Sequence, residues 1–340
     1  MDVTGTNDHG KEKKPSLSKI AKEALAREHV DLEPLSRLSR DLAQAAATLS
    51  DDQARYLVDT YYSLQEYRKA AGNQMKALSK SEEPHGVIAY LFLQMELLEK
   101  QVARALGRYA ESKPIGKWLL SITGIGPIIT AGLIAHIDIA RCETASRIWA
   151  YAGLDPSREW LKGQKRPWNA KLKNLQWKVG ESFVKVSGKE DDFYGKIYIQ
   201  KKEVETRRNL SGQLADQARA KLEKFNIGKD TDAYLWYSGC LTPEAAVELL
   251  ENTPSEKRMA RLRELAGKPG SGLPMLPPDH IHARAKRFAV KLFLSHLHEV
   301  WYYLENGTRA PKPYAFSILE HDQGSYIAPP NWTYPASPIN

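Results

Sequence analysis

Trp118-Leu-Leu-Ser-Ile-Thr-Gly-Ile-Gly-Pro-Ile-Ile-Thr-Ala-Gly-Leu-Ile-Ala-His-Ile137 is the stretch whose reading decides the fold. An apolar helical turn runs into Gly124-Ile125-Gly126, and a second apolar helix starts near Pro127. Proline suits the opening of a helix, because the amide it lacks would have no partner there. The two glycines are expected to supply the positive φ values of a tight turn. They also leave no side chain between the backbone and a ligand. The amides of the turn and of the new helix's first residues point outward unpaired, with the helix dipole behind them, and together they make an anion site. Ile125 is expected to anchor the turn in the core. Ala131 and Gly132 are expected to let the two helices approach closely. No strand precedes the glycines and no third glycine follows, which excludes a dinucleotide fingerprint, and no Gly-Lys-Ser/Thr closes the turn into a P-loop.

Upstream, Ser50 and Gln53 form a capping box that opens a long helix. Leu57, Tyr61, Leu64, Ala71, Met75 and Leu78 follow at spacings of three and four, with Arg68 interrupting the seam. Pro84 and Gly86 break that helix. A second seam then runs through Ile88, Leu91, Met95, Leu98, Val102 and Ala105, as far as Lys113-Pro114. Two such helices form an αα-hairpin that either closes its own core or meets a second copy as a coiled coil.

Downstream, residues 158–178 carry Arg158, Lys162, Lys165, Arg166, Lys171, Lys173 and Lys178 against a single acid, Glu159. Trp160, Trp168 and Trp177 punctuate the run. Cations neutralise phosphates and release counterions, while indoles stack on bases or lie beside sugars. The bland alternative is a solvated cationic face with buried tryptophans, and Leu172 and Trp177 read as core. The cations Lys196, Lys201, Lys202, Arg207 and Arg208 are interleaved with Glu203 and Glu205 and read as a solvated helix face. Arg284, Lys286, Arg287 and Lys291 open a later apolar helix and extend the basic surface.

The whole chain bounds these readings. It has 340 residues, 42% of them hydrophobic, and a formal charge of +8, which suits a polyanionic partner. Two cysteines, Cys142 and Cys240, make neither a disulfide framework nor a paired metal spacing. Nothing resembles a signal peptide or a membrane span, so a cytoplasmic, membrane-free protein is expected. Thr242-Pro243 and Thr253-Pro254 read as helix starts, the second with Glu256 completing a capping box. Residues 267–278 cannot be regular structure, and Asp279 reads as the cap of a helix over about 280–304. Short strands have room only in 191–200 and 313–328.

Candidate chemistry is sparse. Asp138, Asp155, Glu159, Asp191 and Asp192 match no metal-binding spacing. His280/His282 and His296/His298 stand two apart, on different faces of a helix, so neither pair chelates. No cofactor is identified, and a divalent metal has a place only if a carboxylate site not placed by these spacings exists.

The glycine turn between two helices resembles the helix-hairpin-helix, which grips DNA phosphates without reading sequence. Together with Ile148-Trp-Ala-Tyr-Ala-Gly-Leu-Asp-Pro156 and the basic run, it resembles the C-terminal domain of a transposase family. These are insertion-sequence transposases that pair a RuvC-like nuclease domain with a serine-bearing domain, some of them guided by a bridge RNA. In that family a Gly-Ile-Gly hairpin precedes a Tyr-x-Gly-Leu-x-Pro segment, a Ser-Gly pair and a basic run. Here those places hold Gly124-Ile125-Gly126, Tyr151 to Pro156, and Lys162-Gly163 instead of Ser-Gly. The serine is missing from its position, and Ser157 is the nearest hydroxyl, several residues early. The residues before the helical hairpin are too few to build the RuvC-like domain. The resemblance therefore implies DNA binding more strongly than strand-transfer catalysis.

The expectation is an all-α protein: a disordered tail over 1–15, a helical hairpin or coiled coil over 16–112, and a helix-hairpin-helix transposase-like domain over 113–230. A helical region over 231–310 and a Pro-rich tail over 311–340 follow. The expected interface comprises Gly124, Ile125, Gly126, Arg158, Lys162, Lys165, Arg166, Trp168, Lys171 and Lys173. Its expected partner is duplex DNA, with RNA as the alternative nucleic acid, and a homo-oligomer is expected through the helical hairpin. The rival readings are an active strand-transfer enzyme using Ser157 or unplaced carboxylates, and a helical scaffold whose basic face meets acidic protein partners.

Overall fold

The structure is a computed structural model that describes residues 16–27, 39–80, 85–311 and 326–335. The tail assigned to 1–15 and most of the one assigned to 311–340 lie outside the described residues. Fourteen α-helices and no strand occur among the described residues, so the architecture is all-α. The chain divides into two compact units. One holds Met1–Gly116 with Thr130–His136, the other Lys117–Ile129 with Ile137–Asn340.

The first unit contains α1 (Leu17–Arg27), α2 (Arg40–Ala45), α3 (Asp51–Leu78) and α4 (Gly86–Ser112), and takes the end segments of α5 (Pro114–Leu120) and α6 (Pro127–His136) that fall within its bounds. Ser50 accepts a hydrogen bond from the Gln53 amide, and the Gln53 side chain takes the Ser50 amide at 2.9 Å, so the capping box forms. α3 packs along α4. At one end Met75, Ala89 and Phe92 enclose Ala21, Ala24 and Leu25 of α1. In the middle, Arg68 Nε donates to Glu99 Oε2 at 2.6 Å, so the residue that interrupts the apolar seam is the partner of a buried carboxylate. At the other end the Tyr109 hydroxyl donates to Asp51 at 2.7 Å. The inward face of α4 is Ala89, Phe92, Glu99, Leu106 and Tyr109, offset from the seam expected from the sequence, and Leu91 and Leu98 stay exposed. α4 is apolar over more than one face, and the face that meets α1 and α3 is the one carrying the aromatic and hydrogen-bonding groups.

The second unit is organised on α14 (Pro278–Asn306). In chain order it also holds α7 (Ala145–Tyr151), α8 (Ala170–Val186), α9 (Tyr194–Leu210), α10 (Ala215–Lys224), α11 (Asp232–Tyr237), α12 (Pro243–Val247) and α13 (Arg258–Leu265). Phe293 of α14 sits among Trp118, Phe183 and Tyr194, with ring centroids 6.2, 5.5 and 5.3 Å away. α8 crosses α14 at Gly180, where a Cβ would lie 2.6 Å from Lys286 Cγ. Asn209 holds the irregular segment before α14 by bonding both the amide and the carbonyl of Leu276, each at 2.9 Å. Trp118 Nε1 donates to the Pro330 carbonyl at 2.8 Å, tying residues 326–335 to the same core.

Four local expectations are corrected. The short strand given room in 191–200 does not form, because Tyr194–Leu210 is helical and buries Tyr194, Tyr198, Glu205 and Asn209 at helical spacing. Thr253 caps nothing ahead of it, because its hydroxyl donates back to the Glu248 carbonyl at 3.1 Å, and α13 starts only at Arg258. Asp279 lies inside the first turn of α14, where its charge meets the helix dipole without acting as the cap. Trp177 is 57% exposed, because α8 buries the stripe Leu172, Leu175, Val179 and Phe183, and Trp177 lies off it.

Candidate nucleic-acid interface

The hairpin turn joins α5 to α6 through residues 121–126. Gly124 takes φ +95°, and a Cβ there would lie 3.2 Å from Ser182 Oγ and Val186 Cγ2. The Ser182 hydroxyl donates to the Gly124 carbonyl. Gly126 is different: its φ is not positive, and no atom lies within 4 Å of its Cβ position. Only one of the two glycines is therefore required by backbone conformation, and the other keeps a face of the turn open. Ile125 is buried and its amide donates to Ile122 O at 2.9 Å, while the amides of Gly126 and Ile128 have no backbone partner among the described residues. A carboxylate also stands beside the turn. Thr123 Oγ1 donates to Asp191 Oδ2 at 2.7 Å, and this bond holds the Asp191 carboxyl below its ordinary range.

The basic run begins as a loop pinned at its base. Asn169 caps α8 by accepting the Leu172 amide at 3.0 Å, and its own amide and side chain bond Tyr151 O and the Tyr151 hydroxyl, each at 2.9 Å. Within this loop Gly153 has φ +69°, and a Cβ there would fall 2.8 Å from Trp168 Cγ and 2.9 Å from Lys173 Cδ. The glycine of Tyr151-Ala-Gly-Leu-Asp-Pro156 is thus the seat on which Trp168 and Lys173 pack. Lys173 Nζ lies 4.0 Å over the Trp168 ring, and the Arg166 guanidinium lies 4.4 Å over Trp160. Trp160 is fixed in turn by donating to Gln164 O at 2.7 Å. Lys162 and Lys165 are exposed and pair with no described carboxylate. Arg158 is 3.7 Å from Asp155. Glu159, the segment's single acid, is engaged from outside it by Lys224 at 2.8 Å.

Ser157 donates its hydroxyl to Asp155 Oδ1 at 2.7 Å, and its amide bonds the same oxygen at 3.0 Å. These two bonds hold the Asp155 carboxyl below the usual range, so it is a weak base toward the hydroxyl it touches. The other carboxylates considered from sequence are dispersed. Asp138 caps the turn at Ile139–Arg141, and Asp192 accepts the Gly195 amide at 2.7 Å. Among the described residues no three His, Cys, Asp or Glu side chains gather around a metal position. The histidines of α14 each take a different partner: Tyr237 for His280, Tyr198 for His282, Tyr194 for His296 and the Cys142 carbonyl for His298.

Two arrangements escaped the sequence reading. Glu205 is 1% exposed and collects Lys201, Arg208 and Arg284, so part of what reads as a solvated charged face is a buried ion-pair network joining α9 to α14. The i,i+4 and i,i+3 spacing of Lys201, Glu205 and Arg208 was visible, but not the arrival of Arg284. Trp149 carries Lys291 5.0 Å over its ring and donates Nε1 to the Lys291 carbonyl at 3.1 Å. That contact spans 142 residues of chain.

These features define an all-α protein with a glycine-turn hairpin packed on the far end of α8, at Ser182 and Val186, and a loop of cations where α8 begins, two of which lie over indoles. Residues 116–162, which contain both the turn and the Tyr151–Pro156 segment, match the family model for the transposase IS116/IS110/IS902 family. That match supports a transposase-like chain of a mobile element. No curated protein and no solved structure matches the chain.

Proposed function

We propose that this chain is a DNA-binding protein of transposase type acting in DNA transposition or recombination. It grips phosphates through Gly124-Ile125-Gly126 and through Arg158, Lys162, Lys165, Arg166, Trp168, Lys171 and Lys173. The observation that carries the reading is the unbalanced charge of residues 158–178. Seven cations stand there against Glu159, and Lys224 neutralises Glu159 from outside the segment. Clustered like charge repels itself and is stabilised by an anion that meets it. The open face at Gly126 supplies a second phosphate contact made by backbone amides, which needs no side chain. The serine chemistry of the resemblance is not part of this reading, because Lys162 stands at the serine's place. A homo-oligomer through α3 and α4 belongs to the same reading.

Fluorescence anisotropy on labelled duplex, single-stranded DNA and RNA, at several salt concentrations, tests it. With about five cations on phosphate, log affinity for duplex falls with log salt at a slope near −4 to −5. A variant with Lys165, Arg166, Lys171 and Lys173 all changed to alanine loses most of that slope. No binding to any of the three at low salt sinks the reading and leaves a helical scaffold.

A further inference from the structure

Arg287 of α14 is a cation without a counter-charge. The carboxylates that approach this side of α14 are already engaged: Glu181 by Lys286, Glu205 by Arg284, Lys201 and Arg208, and Asp155 by Ser157 and Arg158. No ion pair joins Arg287 to a described carboxylate, and the residue is exposed. The charge that acts on it is another cation of α14, Arg284. Arg287 acts on Lys173 from one side and on Lys291 from another, while Arg166 also acts on Lys173. Loss of water lowers the proton affinity of Lys173 and Lys291; Arg166 and Arg287 add to this at Lys173, whereas at Lys291 the Asp155 carboxylate opposes it, ahead of the push from Arg287. The side chains are nonetheless held in place. Trp168 lies under Lys173 at 4.0 Å and Trp149 under Lys291 at 5.0 Å, and each indole face stabilises the ammonium above it. Gly153 makes the packing of Trp168 possible, and the Gly180 crossing brings α14 against α8.

Four cations gathered by three separate elements, with one committed carboxylate at the edge, form a place prepared for an anion. We infer that Arg287, with Lys291, Lys173 and Arg166 around it, is a phosphate cradle that carries the duplex-DNA surface of the basic loop onto α14. The inference rests on the nucleic-acid reading of residues 158–178 and adds to it Arg287, Lys291 and the two indoles beneath the lysines.

The test is the full chain carrying Arg287→Gln and Lys291→Gln. On duplex DNA the variant is expected to bind on the order of tenfold more weakly, with a salt slope shallower by about 1, the change expected for one lost phosphate. In the absence of DNA its thermal midpoint is expected to stay level or rise, because neutralising two of four like charges relieves repulsion. Inorganic phosphate is expected to raise the midpoint of the unchanged protein and not that of the variant. An unchanged slope in the variant, while the parent binds duplex, overturns the cradle and leaves the loop's role intact. A lowered midpoint together with lost affinity overturns it as well, since the residues would then be structural. A slope change on RNA but not on duplex overturns the choice of DNA. A parent chain that binds no duplex at low salt removes the reading on which the cradle stands.

Discussion

Gly124, Gly126 and Gly153 look alike in the sequence, and their surroundings separate them. Gly153 combines φ +69° with a filled Cβ position against Trp168 and Lys173. Gly153→Ala is therefore expected to cost about 1–3 kcal/mol, read as a lowered thermal midpoint, and to loosen Trp168, read as a red-shifted fluorescence. Gly126 has open space around it, so Gly126→Asp is expected to leave the midpoint nearly unchanged. Its carboxylate would stand where a phosphate is proposed to bind, so duplex affinity falls; unchanged affinity would remove the hairpin from the interface. The sequence made the turn legible but assigned positive φ to both glycines, because only the three-dimensional neighbours, Ser182 and Val186, tell which one needs it. The histidines titrate by the same local logic. The His296 Nε2–H donates to the Ile327 carbonyl at 2.8 Å, so Nδ1 accepts from the Tyr194 hydroxyl, and burial pushes this ring down to about 4. His280 is likewise pushed down to about 4, by burial and by Arg287 and Arg284. A histidine whose folded value is depressed keeps its stabilising effect above the unfolded value, roughly 6.5, and loses it as pH falls toward the folded one. Denaturant melts are thus expected to show stability falling between pH 6.5 and 4, with a limiting slope of about 1.4 kcal/mol per pH unit for each such ring. A flat profile through that window would contradict the burial of these rings.

At the level of single helices, the α3–α4 pair shows how a polar residue in an apolar seam can be read wrongly as noise. Arg68 breaks the three-and-four pattern of α3, and the sequence offers no reason for it. The reason lies 31 residues away, where Glu99 is only 8% exposed and accepts from both Arg68 and Gln65. The Arg68 guanidinium and the Gln65 amide hold the Glu99 carboxyl below its ordinary value against the opposing effect of burial. Removing one partner leaves a desolvated charge, whereas removing both leaves two apolar stems. Arg68→Met is expected to destabilise the chain by about 3 kcal/mol in chemical denaturation, and Arg68→Met with Glu99→Met to recover most of that loss. Additive losses in the double variant would show that the pair is not coupled. Local signals such as the Ser50 capping box and Pro127 and Pro243 at helix starts were legible because each acts within a few residues of chain. Glu99, Glu205 and the Gly180 crossing were not, because each is defined by an element distant in sequence. Thr253 failed for the opposite reason: its hydroxyl had two local carbonyl or amide partners to choose from, and it took the one behind it.

Over the whole molecule, the all-α class was legible from period and punctuation, and the part of the site within 151–173 was legible as charge. The α14 contribution was visible only as a second basic cluster of unassigned position. What composition could not show was which apolar face of α4 turns inward. Val87, Leu91, Gln94, Leu98, Gln101 and Ala105 recur at four, three, four, three and four residues, the alternation of a heptad stripe. This stripe is not the one that packs on α1 and α3. Val87, Leu91 and Leu98 are 59%, 45% and 41% exposed, and the Gln94 and Gln101 side-chain oxygens are shielded without a hydrogen-bond partner among the described residues. An exposed apolar stripe costs solubility unless it is covered. The homo-oligomer proposed through α3 and α4 therefore has a specific surface. Sedimentation velocity is expected to show concentration-dependent dimer formation, and Leu91→Glu with Leu98→Glu to give a monomer of unchanged helicity by circular dichroism. A parent chain that sediments as a monomer at every accessible concentration would exclude self-association through this stripe. Because each copy carries its own hairpin and basic loop, dimer formation is also expected to steepen duplex binding on DNA long enough to meet both copies, and to leave binding to short duplexes unchanged.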